Sequence, residues 1–524
     1  MKSSTASSLW WLLLVGMVSL FLCMPFFRVV YNIPDEGIFL RGADLMLQGK
    51  RLYADFFGFI PPGSYLLTAG WFGVAGISFE SARVLVILNI VGISCFTFVA
   101  CRQASKTTLL PAVLACGWVM MTQWHWMQVS HHWFTTFFSM VAASASLASL
   151  EQTEPRSLRW PLIAGLAAGA ATMITQTRGT WIALAALTAF LDLRKNRSEL
   201  IAYVLGGMLV LAGMILFLAE QGSLTEAFDD VIVYASTRYA SIQYLPYGYS
   251  ASVFDWPLPY VFPLDALLLL LVIVRDWRTS FQDRRLRLCA IFALAGFLGC
   301  FPRPDITHIG FAVPLALPLL ALCTAELTRQ MRPAICYAIA VAVLMTVGAP
   351  SAIAFAYVAR AALRAPTVVT PRGEAALKFS EFRGMSELLP IITATPSKDG
   401  FFFYPQMPLM SFLAAREHVS KYEYFVPWYT TPAQYRDACL SAVRHASWMV
   451  TDRRFSDYSY WKRIYPFMPD TKPPEVVQFE DVRDRAFEPV TIKGFFELRR
   501  RREGVSDAMC DAIQVTNDQV GNTK

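Results

Sequence analysis

"YNIPDEGIFLRGADLMLQGKRLYADFF", residues 31–57, follows a mostly apolar run from Leu9 to Phe27. Two adjacent carboxylates, Asp35 and Glu36, stand where a membrane helix would leave the bilayer, between Pro34 and Gly37. Gly37, Arg41, Asp44 and Gln48 recur every three or four residues. The stretch therefore reads as a short helix with one polar stripe, closed by Gly49. A purely structural role for the acidic pair is to open that helix: Asp caps a first turn and Glu complements its dipole. Of the other acids nearby, Asp44 falls on the polar stripe and is expected to be solvated. Asp55, flanked by aromatic residues in "LYADFF", is expected to line a pocket.

The surroundings make this a membrane problem. Over 524 residues, 55% are apolar and only 16% charged, where a soluble domain carries about 25% charged residues. Runs long enough to cross a bilayer, or nearly so, are expected at 9–27, 82–101, 108–124, 133–150, 161–176, 180–193, 199–219, 258–274, 288–301, 309–327 and 334–357. The first has one basic residue before it and no A-x-A-like site after it, so it reads as a retained span. With the N-terminus inside, the inner segments hold 15 Lys and Arg in 48 residues, against 8 in 115 for the outer ones. That asymmetry fits the positive-inside rule and accounts for the net charge of +7 without nucleic acid. Residues 61–76, opening on Pro61-Pro62, are expected to lie on the outer surface as an interfacial helix. An odd number of spans places residues 359–524 outside, as a small α/β domain. Cys439 and Cys510 in that tail are either one disulfide or two free thiols; the other eight cysteines read as small buried apolar residues. "NRS" at Asn196 matches a glycosylation acceptor but falls in an inner loop.

Three further outer segments carry polar groups. "CFPRPDITHIG" (300–310) holds Arg303, Asp305 and His308, with two prolines that forbid a continuous helix. Non-helical backbone at membrane depth must be buried in protein or line a polar cavity, and the Arg303 fork suits phosphate; the plain alternative is a turn with an Arg–Asp pair. "QWHWMQVSHHWFTTFF" (123–138) holds His125, His131 and His132, whose spacing matches no standard metal site. Interfacial aromatics are ordinary there, though His131 or His132 can hydrogen-bond a substrate. "TQTRGTW" (175–181) holds Arg178 within reach of a lipid phosphate. Asp192, Asp265 and Glu326 are placed near span ends, leaving the bilayer centre free of ionisable groups and the polar chemistry at the outer face.

"PDEG" (34–37), "GKRLYADFF" (49–57), "PPGSYLLTAGWFGVAG" (61–76) and "SARVLVILNIVG" (81–92) resemble the GT-C superfamily of membrane glycosyltransferases, as do, more weakly, "HHWFTTFF" (131–138), "TQTRGTW" and "RPDITH" (303–308). The branch is that of protein O-mannosyltransferases and lipid A aminoarabinose transferases. The resemblance implies an α-helical polytopic membrane protein of about eleven transmembrane helices (residues 1–358), with interfacial helices in a long first outer loop and a C-terminal extracytoplasmic α/β domain (359–524). It further implies a bacterial plasma-membrane enzyme taking a polyprenyl-phosphate-linked sugar to a lipid, glycan or protein acceptor. By position Asp35 is then the general base and Glu36 a helper. Arg303 and Arg178 are the phosphate candidates, with Lys50 and Arg51 as alternatives. Asp55, His131, His132, Asp305 and His308 are further substrate-binding candidates. No metal and no cofactor is expected. A transporter or flippase of lipid-linked saccharides, and a non-catalytic glycolipid-binding relative, are the competing readings; internal repeats and mid-membrane charges would mark the transporter.

Overall fold

A computed structural model describes residues 2–515 except 153–155, 192–196, 240–241, 251–254, 256, 379, 383 and 397, with the backbone alone for 2–8. Asn196 and Asp192 therefore lie outside the described residues.

The apolar runs form helices, and the chain is a multi-pass membrane protein. Among the described residues seven helices are long and apolar enough to cross a bilayer: Leu9–Phe26, Phe79–Ser105, His131–Leu150, Arg197–Glu220, Leu258–Arg275, Ile306–Thr328 and Pro333–Leu363. The other four expected spans coincide with the helices Leu109–Trp126, Arg159–Ile174, Gln176–Leu187 and Arg284–Leu298. The last three are 16, 12 and 15 residues long, shorter than the 17 or so that a straight crossing takes. Gly63–Ala75 is a 13-residue helix, about 20 Å long, and cannot cross. Asp265, expected near a span end, is buried in the protein. It sits inside the helix Val261–Arg275, 2% exposed, and both carboxylate oxygens lack a hydrogen-bond partner among the described residues.

The C-terminal domain begins after Leu363. A hairpin of β1 (Thr367–Thr370) and β2 (Gly373–Ala376) precedes a four-stranded sheet of β3 (Gly400–Tyr404), β4 (Ala446–Asp452), β5 (Phe487–Lys493) and β6 (Phe496–Arg501), in the order β3-β4-β6-β5. Only β3 and β4 run parallel. "FFFY" in β3 is buried on both faces, which is why it is apolar without alternation. Phe402 and Tyr404 pack with Tyr435 and Phe479 in the domain's own core, while Phe401 and Phe403 belong to the core shared with the membrane helices. Cys439 and Cys510 are joined as a disulfide.

The polar stripe of helix Pro34–Leu47 is where the two parts meet. Asp44 is buried rather than solvated: it pairs with Arg372 at 2.7 Å and Arg41 at 3.4 Å, and accepts from Gln48 Nε2 at 3.0 Å. Arg41 in turn reaches Glu423 at 3.3 Å. A Cβ on Gly37 would stand 2.1 Å from the Leu409 backbone nitrogen, so glycine is what lets helix Pro408–Leu413 lie against this helix. The stripe reads as a solvated face from sequence because its partners lie more than 300 residues away.

Candidate active site

Asp35 is the second residue of helix Pro34–Leu47, and it does not cap that helix. Its backbone N–H donates to Asn32 Oδ1 at 2.8 Å, while the carboxylate, half-buried, turns into a cavity of about 350 Å³. No hydrogen bond or ion pair engages that carboxylate among the described residues. Desolvation pushes its pKa up to about 6, against the downward pull of Arg303 and His308.

Glu36, one residue on, points elsewhere. It is fully buried, joined through both oxygens to the Arg83 guanidinium (2.8 Å for Oε2 to Nη2), and it accepts the Val129 N–H at 3.0 Å. Successive helix residues diverge by about 100°, so the two acids cannot share a face. Glu36, expected as a catalytic helper, is thus engaged by Arg83 and Val129 and is not among the residues lining the cavity.

The wall facing Asp35 comes from "RPDITH". Asp305 Oδ1 accepts from the His308 N–H at 3.0 Å, capping helix Ile306–Thr328, and lies 2.7 Å from His308 Nδ1. A carboxylate acceptor fixes the proton on that nitrogen. Oδ2 accepts from Arg303 Nε at 3.0 Å. Burial would raise the Asp305 pKa, but His308 and Arg303 together hold it well below the usual carboxylate range. Asp305 thus orients its two neighbours while lining the cavity itself. Arg303 also donates to Gln243 Oε1 and to the Ile464 carbonyl, both at 3.2 Å. Three of its five N–H groups are spent, and two remain to face the cavity.

His131 and His132 border this cavity and a second one, of about 380 Å³, that contains Arg178. The two cavities share Phe59, Ile60, Tyr239, Gln243, Arg303 and His308 as well. Arg178 Nη1 donates to His132 Nδ1 at 3.1 Å, which makes that imidazole neutral with its proton on Nε2. Arg178 is 6% exposed and has no carboxylate partner among the described residues. Its position follows from Gly179, where a Cβ would meet the Thr172 backbone nitrogen at 2.2 Å, so two short helices touch there. Val231, Ile232, Ala235 and Phe301 are apolar members of the second cavity's lining, beside the polar Thr175, Gln176, Thr177 and Ser236.

Lys50, Arg51 and Asp55 are not brought to this site. Arg51 closes on Asp55 through Nη2 at 2.9 Å and Nε at 3.2 Å, and that pairing holds the Asp55 carboxyl below its ordinary range. Lys50 and Asp55 border an adjoining pocket of about 150 Å³ that shares Ile38, Phe59 and Tyr424 with the Asp35 cavity. Arg51 and Asp55 satisfy each other as a local i,i+4 ion pair. Among the described residues no group of three or more His, Cys, Asp or Glu side chains is placed to hold a metal ion.

Other cavity residues come from segments to which the sequence reading assigned no chemistry. Tyr239 ends the helical stretch Asp229–Tyr239 and Gln243 follows it in a tyrosine-rich segment, and Gln406, Tyr424, Asp452, Arg454 and Tyr465 come from the C-terminal domain. Two signals point to them. One is "YASTRYASIQYLPYGY" (234–249), whose aromatic density exceeds what a connecting loop needs. The other is that Gln406 and Asp452 lie at the carboxyl ends of the parallel strands β3 and β4, where α/β sheets usually bind ligands.

No family model matches the chain, and no curated protein matches its sequence. Among solved structures it is similar to ArnT from Cupriavidus metallidurans bound to undecaprenyl phosphate, at 14% identity and a TM-score of 0.54, covering 97% of this chain and 99% of that one. It is similar also to the apo state of that protein, at 13% identity and a TM-score of 0.53 over the same shares. At this identity the likeness is one of fold, and it runs along nearly the whole chain, C-terminal sheet domain included.

Proposed function

We propose that this chain is a membrane glycosyltransferase that moves a sugar from a polyprenyl-phosphate carrier to an acceptor hydroxyl, with Asp35 as general base. The observation that carries the reading is the Asp35 carboxylate: unengaged, desolvated, and set in a cavity with Arg303 and His308. A carrier on an isoprenoid chain cannot leave the bilayer, so its sugar must be met at the membrane surface. The acceptor oxygen attacks the anomeric carbon and its proton passes to Asp35. The bond from that carbon to the lipid phosphate breaks, and the electron pair leaves with the phosphate. A base with a pKa near 6 is ionised at neutral pH yet still basic enough to take the proton. Arg178 and the free donors of Arg303 would stabilise the growing phosphate charge, and the buried, carboxylate-free position of Arg178 suits an anion supplied from outside. The apolar lining beyond Arg178 suits the first isoprene units.

The same reading puts the site and the C-terminal domain on the outer face of a bacterial plasma membrane. A disulfide in that domain agrees, since such bonds persist in oxidising compartments. The direct test is transfer of radiolabelled sugar from an undecaprenyl-phosphate-linked donor by the purified protein, alongside the lipid-linked sugars of cells with and without the gene. One polyprenyl-phosphate sugar should accumulate in its absence. An unchanged lipid-linked pool together with no turnover of any such donor sinks the proposal.

A further inference from the structure

Gln406 lines the Asp35 cavity from the C-terminal domain, two residues beyond Tyr404 at the end of β3, and is 5% exposed. Its Nε2 is buried with no hydrogen-bond partner among the described residues. We propose that Gln406 is a specificity-determining residue whose amide reads a hydroxyl of the sugar on the carrier. The inference rests on the glycosyltransferase reading and gives the C-terminal domain a part in selecting the donor.

The state of the neighbouring groups is the first argument. Asn32 and Gln243 also bring amides to the lining, and both are engaged. Asn32 Oδ1 accepts from the Asp35 N–H at 2.8 Å, and Gln243 Oε1 accepts from Arg303 Nη1 at 3.2 Å. The Gln406 side chain makes no such bond among the described residues. The charged side chains are committed as well: Arg303 pairs with Asp305, Arg454 pairs with Asp452, and Asp35 is the proton acceptor. A buried amide without a partner is unfavourable on its own, and it is satisfied when a ligand oxygen accepts from it. An amide offers donors and an acceptor without charge, the complement of a hydroxyl.

Position is the second. The backbone on both sides of Gln406 is held. The Pro405 carbonyl accepts from the Phe425 N–H at 2.9 Å, and Gln406 itself forms an antiparallel bridge with Tyr424. Three residues on, the Leu409 N–H donates to the Ile33 carbonyl at 3.3 Å, which joins this segment to the residues just before Asp35. Gln406 and Asp35 therefore belong to one frame. The carrier's sugar must present its anomeric carbon to the acceptor beside Asp35, so its hydroxyls enter the space that both residues line. Gln406 does not line the cavity of Arg178, where the phosphate and the lipid are placed. Its contact thus falls on the sugar and not on the carrier.

The test uses the full chain in a neutral detergent, with no acceptor present. Native mass spectrometry compares bare undecaprenyl phosphate with undecaprenyl phosphate carrying glucose, mannose, galactose or arabinose. Wild type should bind at least one glycosylated carrier more tightly than the bare one. Gln406→Met keeps the length of the side chain and removes the amide. It should weaken binding of that glycosylated carrier about fivefold or more, and should leave binding of bare undecaprenyl phosphate unchanged. The variant should melt no lower than wild type, because no hydrogen bond of the protein is lost. Four results overturn the proposal: no glycosylated carrier preferred by wild type, a preference that survives the substitution, an equal loss for bare and glycosylated carriers, or a lowered melting temperature that marks the amide as structural. Failure of wild type to bind undecaprenyl phosphate at all would instead count against the glycosyltransferase reading, so the two failures are distinguishable.

Discussion

The Glu36 carboxylate and the Arg83 guanidinium, 47 positions apart in the chain, meet through both oxygens with neither side chain exposed. The pair ties helix Pro34–Leu47 to the start of helix Phe79–Ser105. Arg83 donates also to the Val29 carbonyl at 2.8 Å, so the residues just before "PDEG" are held by the same group. With one acid anchored inward, its neighbour is left facing the cavity.

Glu36→Gln should therefore act on stability before it acts on chemistry. Removing one charge of a buried pair costs about 3–5 kcal/mol. The variant should show a markedly lower unfolding temperature and a poor yield, and replacing the pair together by Leu and Met should recover part of the loss. A normal melting curve with slow turnover would return Glu36 to the catalytic machinery.

Gly37→Ala probes the seam between the membrane part and the C-terminal domain. The added methyl meets the Leu409 backbone, which cannot swing away as a side chain can. Overpacking of this kind costs about 1–3 kcal/mol. Limited proteolysis should cut the C-terminal domain faster in the variant, and a wild-type cleavage rate would show that the helices do not touch there.

Arg178→Gln keeps size and polarity but removes the charge. A charge-assisted hydrogen bond contributes about 1.5–3 kcal/mol, so affinity for undecaprenyl phosphate should fall by roughly tenfold to a hundredfold. His132 keeps a hydrogen-bonding partner in the amide, which limits collateral damage. Unaltered affinity in a binding titration would remove Arg178 from the phosphate site.

The helices were legible because each is an apolar run bounded by Pro, Gly or charge, and composition alone carries that signal. Asp35, Arg303, His131, His132 and His308 were found as candidates because loop positions beside spans leave few polar groups to choose from. The structure gathers these five around one cavity. What could not be read is which acid of an adjacent pair faces inward, since that depends on Arg83 in another helix. Asp44 went unread for the same reason: Arg372 lies 328 residues away. The part the C-terminal domain plays in the cavity depends on where the ends of β3 and β4 come to rest, a tertiary fact with only a weak local trace.

Reduction offers a test of compartment as well as of stability. The Cys439–Cys510 bond closes a loop of 71 residues, for which chain entropy alone predicts about 4 kcal/mol of stabilisation. Protein from intact cells, alkylated before lysis, should show both thiols blocked by the bond. Free thiols at both positions would argue for a reducing compartment and against an exported domain.

Asp35→Asn separates the two roles with which the acidic pair began. Asn32 Oδ1, not Asp35, receives the first-turn N–H, so the substitution removes no cap. Its effect on stability follows from the sign of the pKa shift. The folded protein raises this carboxyl from 3.8 to about 6, so the folded state binds more protons across that window and stability falls as pH rises through it. Above pH 6 the ionised group is a liability, and the Asn variant should melt no lower than wild type. Turnover should move the other way. Loss of a general base costs about 10²–10⁴ in rate, roughly 3–5 kcal/mol of barrier, and wild-type kcat/KM should decline as pH drops through about 6. A transfer assay on the purified variant with the lipid-linked donor, run beside its melting curve, measures both. A stable variant that turns over at the wild-type rate would leave Asp35 as a cavity residue without a catalytic role.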